Sequence, residues 1–233
     1  HAFVGGQTYT DNDFGNYQNA TKRGTKFHDL DADGVWDAGE PGLAGWTIEA
    51  VQSDVVVATT TTDANGDYEF ILTPGTYTFR EVQQAGWIQS HPTGGVHTET
   101  LTSGQLSEDN DFGNYQLATK SGFKFEDMNA NGVYDTGEPK LAGWEINVVG
   151  TDGMGNPVNV STTTDASGNY EFSLVPGKYT VAETLQTDWI QSFPASGVYD
   201  ITLESGEVDS GNNFGNYQLA TKSGFKFEDM NAN

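Results

Sequence analysis

An internal repeat with the period of a domain constrains the fold of this chain more than any other feature of its sequence. The pentapeptide Phe-Gly-Asn-Tyr-Gln begins at Phe14, Phe112 and Phe214, so successive copies are 98 and 102 residues apart, which is the size of a small domain. We therefore expect two complete repeats flanked by partial ones. Residues 1–21 would be the last-strand remnant of a preceding repeat, 22–118 and 119–220 the complete repeats, and 221–233 the first-strand start of a following repeat.

Apolar residues alternate with polar ones within each repeat. In the second repeat the alternation covers Trp144, Ile146 and Val148, and it returns at Tyr170 and Phe172. A period of two indicates half-buried strands, and no stretch shows the helical period of about 3.6 residues. The sequence therefore predicts an all-β fold in which each repeat is a sandwich of about seven short strands.

Gly, Asn and Pro residues mark the turns between these strands. We expect hairpin turns at Asn65-Gly66 and Ser167-Gly168, because such pairs favour tight turns. The second repeat is four residues longer than the first, and the extra residues fall in the Gly-rich stretch 150–157, which we interpret as a hairpin loop. The linker at 117–121 contains no proline and is short enough that neighbouring domains should touch.

The composition limits the partners of the chain. It has 10 Lys and Arg residues against 33 Asp and Glu residues, a formal charge of −23, which argues against nucleic acid or an anionic membrane and favours cations. There is no cysteine, so disulfides and thiol catalysis are excluded, and a secreted domain of this kind needs another staple. No apolar stretch is long enough to span a membrane.

The sharpest motif is a twelve-residue acidic loop that begins at Asp29. It fits the calcium-loop pattern D-x-[DN]-x-[DN]-G-x5-E, with Gly34 at the bend. Calcium takes about six to eight oxygen ligands, which such a loop supplies from alternate side chains, one backbone carbonyl and a bidentate glutamate. The predicted ligands are Asp29, Asp31, Asp33, the carbonyl of Val35, Asp37 and Glu40.

The second repeat carries the same loop in register, and a third copy begins at Asp229. The first loop holds five carboxylates and the second holds three, so we expect the first to bind calcium more tightly. Strands rather than helices flank both loops, which favours a structural ion over a sensor switch; the alternative is a solvated acidic turn. The predicted ligands of the second loop are Asp127, Asn129, Asn131, the carbonyl of Val133, Asp135 and Glu138.

Weaker clusters of side-chain oxygens recur in later turns and before the last strand. Asx residues favour turns through local hydrogen bonds, so these clusters have a structural explanation as well as a metal-binding one. An additional ion would use Asp63, Asn65 and Asp67, or Asp165 and Asn169, or Asp111.

Taken in order, these landmarks resemble a known family. The succession of Lys-Phe-x-Asp, the acidic loop, Gly-Glu-Pro, Leu-Ala-Gly-Trp, Thr-Asp-x-x-Gly-x-Tyr-x-Phe, Pro-Gly-x-Tyr-Thr, Trp-Ile-Gln-Ser and Phe-Gly-Asn-Tyr is similar to the SdrD B-like repeat of bacterial surface proteins and covers nearly the whole chain. The resemblance implies a prealbumin-like (Greek-key) β-sandwich with a calcium loop after the first strand. It also implies a kinship with collagen-adhesin B-type modules and a place in rigid stalks that hold an adhesive head away from the cell wall.

The first strand departs from one feature of those related modules. Some of them carry a Lys–Asn isopeptide bond assisted by a core glutamate, for which Glu81 stands in the matching place. Where they have the inward lysine this chain has Phe27, whereas Lys26 points to the opposite face of a regular strand. We therefore expect no isopeptide bond and a structural role for the buried, hydrogen-bonded carboxylate. The equivalent residues of the second repeat are Glu183, Phe125 and Lys124.

The chain offers no catalytic constellation, and we expect that it is not an enzyme. Its histidines have no counterparts in the second repeat, and nothing resembles a nucleophile elbow, a P-loop or a zinc site. A carbohydrate- or protein-binding adhesin module stays open, although the repeat-equivalent tryptophans favour core packing. A strand-exchanging subunit of an extracellular filament also stays open, because partial repeats could complete the sheets of neighbouring chains.

These observations favour calcium-rigidified stalk or spacer repeats of an extracellular bacterial surface or filament protein, projecting an adhesive or other functional region. The expected partners are calcium and neighbouring repeats, with a host or cell-surface ligand for an unseen head, and neither nucleic acid nor an inserted membrane. Calcium is plentiful outside the cell, which agrees with a cell-surface location. We expect small-angle scattering to show a stiff, extended particle that becomes more flexible when calcium is chelated.

Overall fold

A computed structural model describes residues 5, 14–228 and 230 of the chain. These residues form strands joined by turns and irregular segments, and the predicted all-β fold is confirmed. None of the described segments is a helix with the length and apolar character needed to cross a bilayer. The chain divides into two compact units, one built mainly from residues before Tyr115 and the other mainly from Tyr115 onward.

Several predicted features lie wholly or partly outside the described residues. The remnant at 1–21 is described only at residues 5 and 14–21, and the start of a following repeat at 221–233 only at 221–228 and 230. The ligand positions of the third acidic loop, from Asp229, lie outside the described residues.

The first unit contains two sheets. Within the described part of the chain its strands are β1 (Ala20–His28), β2 (Thr47–Gln52), β3 (Val55–Thr61), β4 (Asp67–Leu72), β5 (Gly75–Glu81), β6 (Ile88–His91), β7 (Val96–Leu101), β8 (Leu106–Ser107) and β9 (Phe112–Tyr115). One sheet has the order β4-β1-β9-β6, with β8 also paired to β1, and the other has the order β3-β2-β5-β7. The strands outnumber the predicted set of about seven because β6 and β8 are too short for an alternation to show.

The second unit repeats this arrangement. As far as the structure describes it, its strands are β10 (Ala118–Glu126), β11 (Glu145–Asp152), β12 (Pro157–Thr163), β13 (Asn169–Leu174), β14 (Gly177–Glu183), β15 (Trp189–Phe193), β16 (Val198–Leu203), β17 (Val208–Asp209) and β18 (Phe214–Gln218). One sheet has the order β13-β10-β18-β15, with β17 on β10, and the other has the order β12-β11-β14-β16. The duplicated sequence therefore gives one topology twice.

The first and last strands of each unit lie side by side. β1 pairs in parallel with β9, so that Lys26 stands opposite Phe112 and His28 opposite Asn114. β10 pairs with β18 in the same way. Because β1 also pairs antiparallel with β4, it lies in the interior of its sheet. Its pairing with β9 joins the first strand of the unit directly to the last.

Each sandwich has a hydrophobic core of its own. The first core includes Phe70 and Phe79, whose ring centroids are 5.6 Å apart. In the second, the ring of Trp189 packs edge-on against Trp144 at 5.4 Å. Trp46 and Trp144 are buried, so these two tryptophans occupy the core as the sequence predicts.

Two predicted turns join different sheets and are not hairpins. β3 and β4 belong to opposite sheets, as do β12 and β13, so Asn65-Gly66 and Ser167-Gly168 cross from one sheet to the other. The hairpin prediction is wrong there because alternation does not show which sheet a strand joins. Gly66 has a φ of +84°, and a Cβ there would lie 2.2 Å from the carbonyl oxygen of Lys26.

The loop that carries the four-residue insertion is a hairpin, as predicted. β11 and β12 pair antiparallel on either side of it. The equivalent turn of the first unit is shorter, with left-handed φ angles of 51° at Ser53 and 64° at Asp54. The linker differs from the predicted 117–121, because β9 ends at Tyr115 and β10 already begins at Ala118.

Replacement of Gly113 by alanine should destabilise the first domain. A Cβ at this position would lie 2.3 Å from the ring of Phe27, which is buried; Gly215 stands in the same relation to Phe125. Overpacking of a core typically costs about 1–3 kcal/mol. We expect Gly113→Ala to lower the free energy of unfolding by about that amount in a denaturant titration.

Gly15→Ala is the matched control for this substitution. Gly15 belongs to the first copy of the same Phe-Gly-Asn-Tyr sequence, but a Cβ there would have no neighbouring atom within 4 Å. Its replacement should leave the unfolding curve unchanged. Equal destabilisation by both substitutions would contradict the packing explanation.

Candidate metal centres and a buried lysine cluster

Each acidic loop begins where the first strand of its domain ends. Asp29 directly follows β1, Asp127 directly follows β10, and both side chains are fully buried. Left-handed φ angles of 61° at Ala32 and 80° at Gly34 bend the first loop back on itself, the second of them at a residue that adopts such angles without steric cost. The bend turns side chains at alternate positions toward one another.

The carboxylates of the first loop converge. One oxygen from each of Asp29, Asp31 and Glu40 lies within 4.8 Å of the others, and the same holds for Asp31, Asp33 and Asp37. Asp31 belongs to both groups, so the five predicted carboxylate ligands share one region. Like charges this close repel one another, and oxygen-only donor sets of this kind suit a hard divalent cation such as calcium.

The glutamate at position twelve closes each loop. Glu40 Oε2 accepts a hydrogen bond from the N–H of Asp37 at 3.0 Å. Glu138 accepts one from Met128 N–H and one from Asp135 N–H, each at 2.9 Å. These bonds bring the last predicted ligand back to the beginning and middle of the loop.

The second loop has amide groups where the first has carboxylates. The Nδ2 atoms of Asn129 and Asn131 donate hydrogen bonds to Asp135 Oδ2 at 2.9 and 2.8 Å, which carboxylates at these positions cannot do. In the described chain, both tight groups of three carboxylates belong to the first loop. The loop for which we expect weaker calcium binding is therefore the one whose side chains already bond to each other.

The surroundings of Asp127 favour the ionised form of its carboxyl group. Burial by itself raises the pKa of this carboxyl, but the Ser192 hydroxyl and the backbone N–H groups of Gly132, Asn131 and Ala130 outweigh that effect and lower its pKa. The N–H of Gly132 donates to Asp127 Oδ2 at 2.7 Å. An anionic oxygen is thus held at the first position of the second loop.

Aromatic side chains fix both loops to the first strand. The ring of Trp36 stacks on Phe27 with centroids 6.0 Å apart, and Tyr134 packs edge-on against Phe125 at 5.2 Å. The side chains of Val35 and Val133 contain no oxygen or nitrogen, so a ligand from either residue would be its backbone carbonyl.

The residues of the weaker clusters are engaged in protein hydrogen bonds. Asp63 Oδ1 accepts from the N–H groups of Asn65 and Asp67 at 2.8 and 3.0 Å, and Asp165 does the same with Ser167 and Asn169. Additional bonds go to Asp67 from Thr25 Oγ1, to Asn169 from Lys140 Nζ and to Asp111 from the N–H of Thr25. These oxygens already satisfy turns and strand ends.

The first strand places a lysine, not a phenylalanine, on its inner face. Lys26 is fully buried, with Nζ 3.1 Å from Glu81 Oε2 of the opposite sheet and 4.5 Å from the centroid of the Trp46 ring. It donates hydrogen bonds to Asn114 Oδ1 and to the carbonyl of Phe112. The expectation that Lys26 points away from the core is wrong, because the outer face of β1 is the one that holds Phe27 beneath the acidic loop.

The second domain contains the same cluster. Lys124 Nζ lies 3.2 Å from Glu183 Oε2, 2.6 Å from Asn216 Oδ1 and 4.3 Å from the centroid of the Trp144 ring. Both lysines and both asparagines have no exposed surface. As predicted, Glu81 and Glu183 are buried carboxylates.

Burial moves these groups toward their neutral forms. It raises the pKa of Glu81 and of Glu183 although the neighbouring lysines oppose it. It also lowers the pKa of Lys124 to about 8, against the attraction of Glu183. A charged pair taken out of water loses solvation that mutual attraction only partly restores.

Sequence reasoning missed the asparagines and the inward direction of the lysines. The available signal was their recurrence, since Lys-Phe and Phe-Gly-Asn stand at equivalent places in both repeats. Polarity argued against placing a lysine in the core.

A sequence profile for the SdrD B-like domain matches residues 20–122 and again residues 118–231. Among curated proteins, serine-aspartate repeat-containing protein F of Staphylococcus epidermidis is 32% identical over 214 residues, covering 85% of this chain and 12% of its own length. The bone sialoprotein-binding protein of Staphylococcus aureus is 30% identical over 171 residues, covering 66% of this chain and 15% of its own length. The chain thus spans a small part of these relatives.

Two solved structures align with most of this chain at low sequence identity. The Bacillus anthracis TIE protein aligns over 87% of this chain and 34% of its own, with 20% identity and a TM-score of 0.37. GBS52, the minor pilin of Streptococcus agalactiae, aligns over 89% of this chain and 99% of its own, with 14% identity and a TM-score of 0.35.

Exchange of two residues between the loops should exchange their affinities. Asp31 and Asp33 stand where the second loop has Asn129 and Asn131, and fewer converging anions lower cation affinity. In an Asp127→Ala background, which reports the first loop alone, we expect Asp31→Asn with Asp33→Asn to weaken calcium binding about tenfold by calorimetry.

The reciprocal variant is the control. Asn129→Asp with Asn131→Asp, in an Asp29→Ala background, should strengthen binding by the second loop. If the unmodified loops showed equal affinity in the two single-alanine backgrounds, the charge argument would fail.

Proposed function

The chain belongs to the SdrD B-like domain family, and on this basis we propose that its two repeats, 22–118 and 119–220, are calcium-stabilised spacers in the stalk of an extracellular bacterial surface protein. The family is non-enzymatic and located at the cell surface, so the chain is an extracellular structural module. The observation that carries the calcium proposal is the convergence of five carboxylates in the first loop.

The ion would act on the first strand. After the acidic loop the chain returns to β1, where Leu43 N–H donates to the Lys26 carbonyl at 2.7 Å and His28 N–H donates to the Pro41 carbonyl at 2.8 Å. Trp36 stacks on Phe27 between these contacts. A cation that draws the carboxylates together would hold this cover in place, and binding to the folded form alone would stabilise it by mass action.

The strand order supports a load-bearing role. Tension along the chain enters the first domain through β1 and leaves it through β9, and these strands are parallel neighbours. Opposite pulls on parallel neighbours load their hydrogen bonds in shear, so several bonds resist together. β10 and β18 repeat the arrangement in the second domain.

The aromatic residues do not favour the carbohydrate-binding alternative. Trp46 and Trp144 are buried, and the partly exposed ring of Trp36 is engaged with Phe27. The strand-exchange alternative depends on partial repeats that the structure describes only in part.

Removal of calcium should lower the thermal stability of both domains. At free calcium of about one hundred times the dissociation constant, binding contributes about 2.7 kcal/mol, and about 1 kcal/mol corresponds to about 4–8 °C in Tm for a domain of this size. Scanning calorimetry with and without chelator should show a fall of roughly 10 °C or more for a tightly bound site, together with faster proteolysis within the loops.

The Asp29→Ala, Asp127→Ala double variant is the control for this experiment. It should unfold at the same temperature with and without chelator. If the unfolding temperature of the unmodified chain were the same with and without chelator, the proposal of a calcium-stabilised spacer would be contradicted.

A further inference from the structure

The serine of each Trp-Ile-Gln-Ser sequence lies on a short strand at the edge of a sheet. Ser90 belongs to β6 and Ser192 to β15, and these strands are the last in the orders β4-β1-β9-β6 and β13-β10-β18-β15. The hydroxyl oxygens of both serines are buried, yet neither has a hydrogen-bond partner within the part of the chain that the structure describes. A buried polar atom without a partner is uncommon in native proteins and requires an explanation.

Ser192 stands at a break in the strand pairing. β15 runs antiparallel to β18, and Gln191 stands opposite Asn216. Two residues further along β15, Phe193 stands opposite Gly215, which is only one residue away from Asn216. Ser192 is therefore the extra residue of a β-bulge. Bulges redirect a side chain out of the regular alternation, and they are frequent beside functional sites.

The serine borders the bend of the acidic loop in both domains. A Cβ at Gly132 would lie 3.4 Å from the carbonyl oxygen of Ser192, and a Cβ at Gly34 would lie 3.3 Å from the carbonyl oxygen of Ser90. Gly132 and Gly34 are the glycines at the sixth position of the two loops. The edge strand thus runs directly past the place where the loop turns back on itself.

The first ligand position of the second loop lies beside the same strand. The N–H of Asp127 donates to the carbonyl of Asn216 at 2.8 Å, and Asn216 pairs with Gln191, next to Ser192. Among the groups that lower the pKa of the Asp127 carboxyl, the Ser192 hydroxyl has the largest effect. The hydroxyl is therefore close to the carboxyl group although it completes no hydrogen bond of ordinary geometry with it.

On the basis of the calcium-binding function proposed above, we propose that Ser192, and Ser90 at the equivalent place, are positioning residues of the two calcium centres. Each hydroxyl would donate a hydrogen bond to the carboxylate at the first loop position, Asp127 or Asp29, and hold it in the orientation that the ion requires. Partners of this kind, which contact a metal ligand but not the metal, commonly change metal affinity by about 10–100-fold.

A hydroxyl has the properties that this place needs. Its hydrogen rotates about the Cβ–Oγ bond, so a small movement of the loop around an ion is enough to complete the hydrogen bond. It carries no charge, so it supports the carboxylate without repelling the cation as a lysine or arginine would. A hydrogen bond to an ionised carboxylate is also stronger than one between neutral groups.

This contact would connect the ion to the edge of the sheet. The acidic loop follows β10, whereas Ser192 belongs to β15, two places away in the strand order. In the described chain β15 pairs with β18 alone. A hydrogen bond from Ser192 to Asp127 would give this edge strand a second attachment. Calcium binding should then protect the amides of β15 from hydrogen exchange, because their local opening would first have to break that bond.

The test is a calcium titration of Ser192→Ala in the Asp29→Ala background, which reports the second loop alone. We expect calorimetry with calcium chloride to show binding about tenfold weaker than in the background protein. In chelator the unfolding temperature should not fall, because the hydroxyl has no hydrogen bond to lose there. Ser90→Ala in the Asp127→Ala background should have the same effect on the first loop.

Ser173→Ala is the matched control, because Ser173 is an exposed serine of β13 in the same sheet. It should leave calcium affinity unchanged and keep the calcium-dependent protection of β15, which Ser192→Ala should abolish. Unchanged affinity in Ser192→Ala would overturn the positioning role. So would weaker binding together with a lower unfolding temperature in chelator, since that pattern indicates a general loss of stability. If the Asp29→Ala background bound no calcium, the proposed function would itself fail at this loop, and the role of Ser192 with it.

Discussion

The first strand of each domain is buried on both faces, and the rest of the structure depends on how those faces are covered. The inner face of β1 meets the opposite sheet, where Lys26 lies against Glu81 and Trp46. The outer face carries Phe27, which a sandwich of two sheets would leave exposed. The acidic loop provides the missing cover through Trp36. That loop also brings five carboxylates together, and their mutual repulsion opposes the folded loop. Cation binding and the packing of β1 are therefore energetically coupled.

The chain has no cysteine, so disulfides cannot stabilise the covered first strand. A small secreted domain commonly adds disulfides or a metal to a limited core, and here the candidate metal loop directly follows the first strand. Lys26 belongs to the interior cluster, and Asp29, three positions later, begins the metal loop. The same arrangement requires a glycine at position 113, because this residue lies against the ring of Phe27. The next residue, Asn114, points to the other face and contacts Lys26.

Periodicity in the sequence predicts the strands well, but not which side of them faces the core. The spacing of Lys26 and Phe27 correctly puts them on opposite faces of β1, and the assignment of those faces is wrong. Apolar residues indicate the inward side only where the other side is solvated, and here a loop from the same repeat covers it. The acidic loop could be read because its ligands are consecutive, whereas Lys26, Glu81 and Asn114 meet only through the sheet topology. The crossing at Asn65-Gly66 was missed for the same reason.

The two domains differ in the acidic loop and agree in the interior, so the two regions are under different physical constraints. Asp31 and Asp33 become Asn129 and Asn131, so calcium affinity is free to vary between repeats. The Lys–Glu distances of 3.1 and 3.2 Å are nearly the same, because a buried lysine needs the same set of polar partners in both domains. On the calcium proposal, loss of the ion would loosen the cover over β1, whereas the buried contacts of Lys26 with Glu81 and Asn114 do not involve the metal loop. Resistance to proteolysis within the loops would then depend on the metal and could differ between the two domains, while the interior packing would be the same in both.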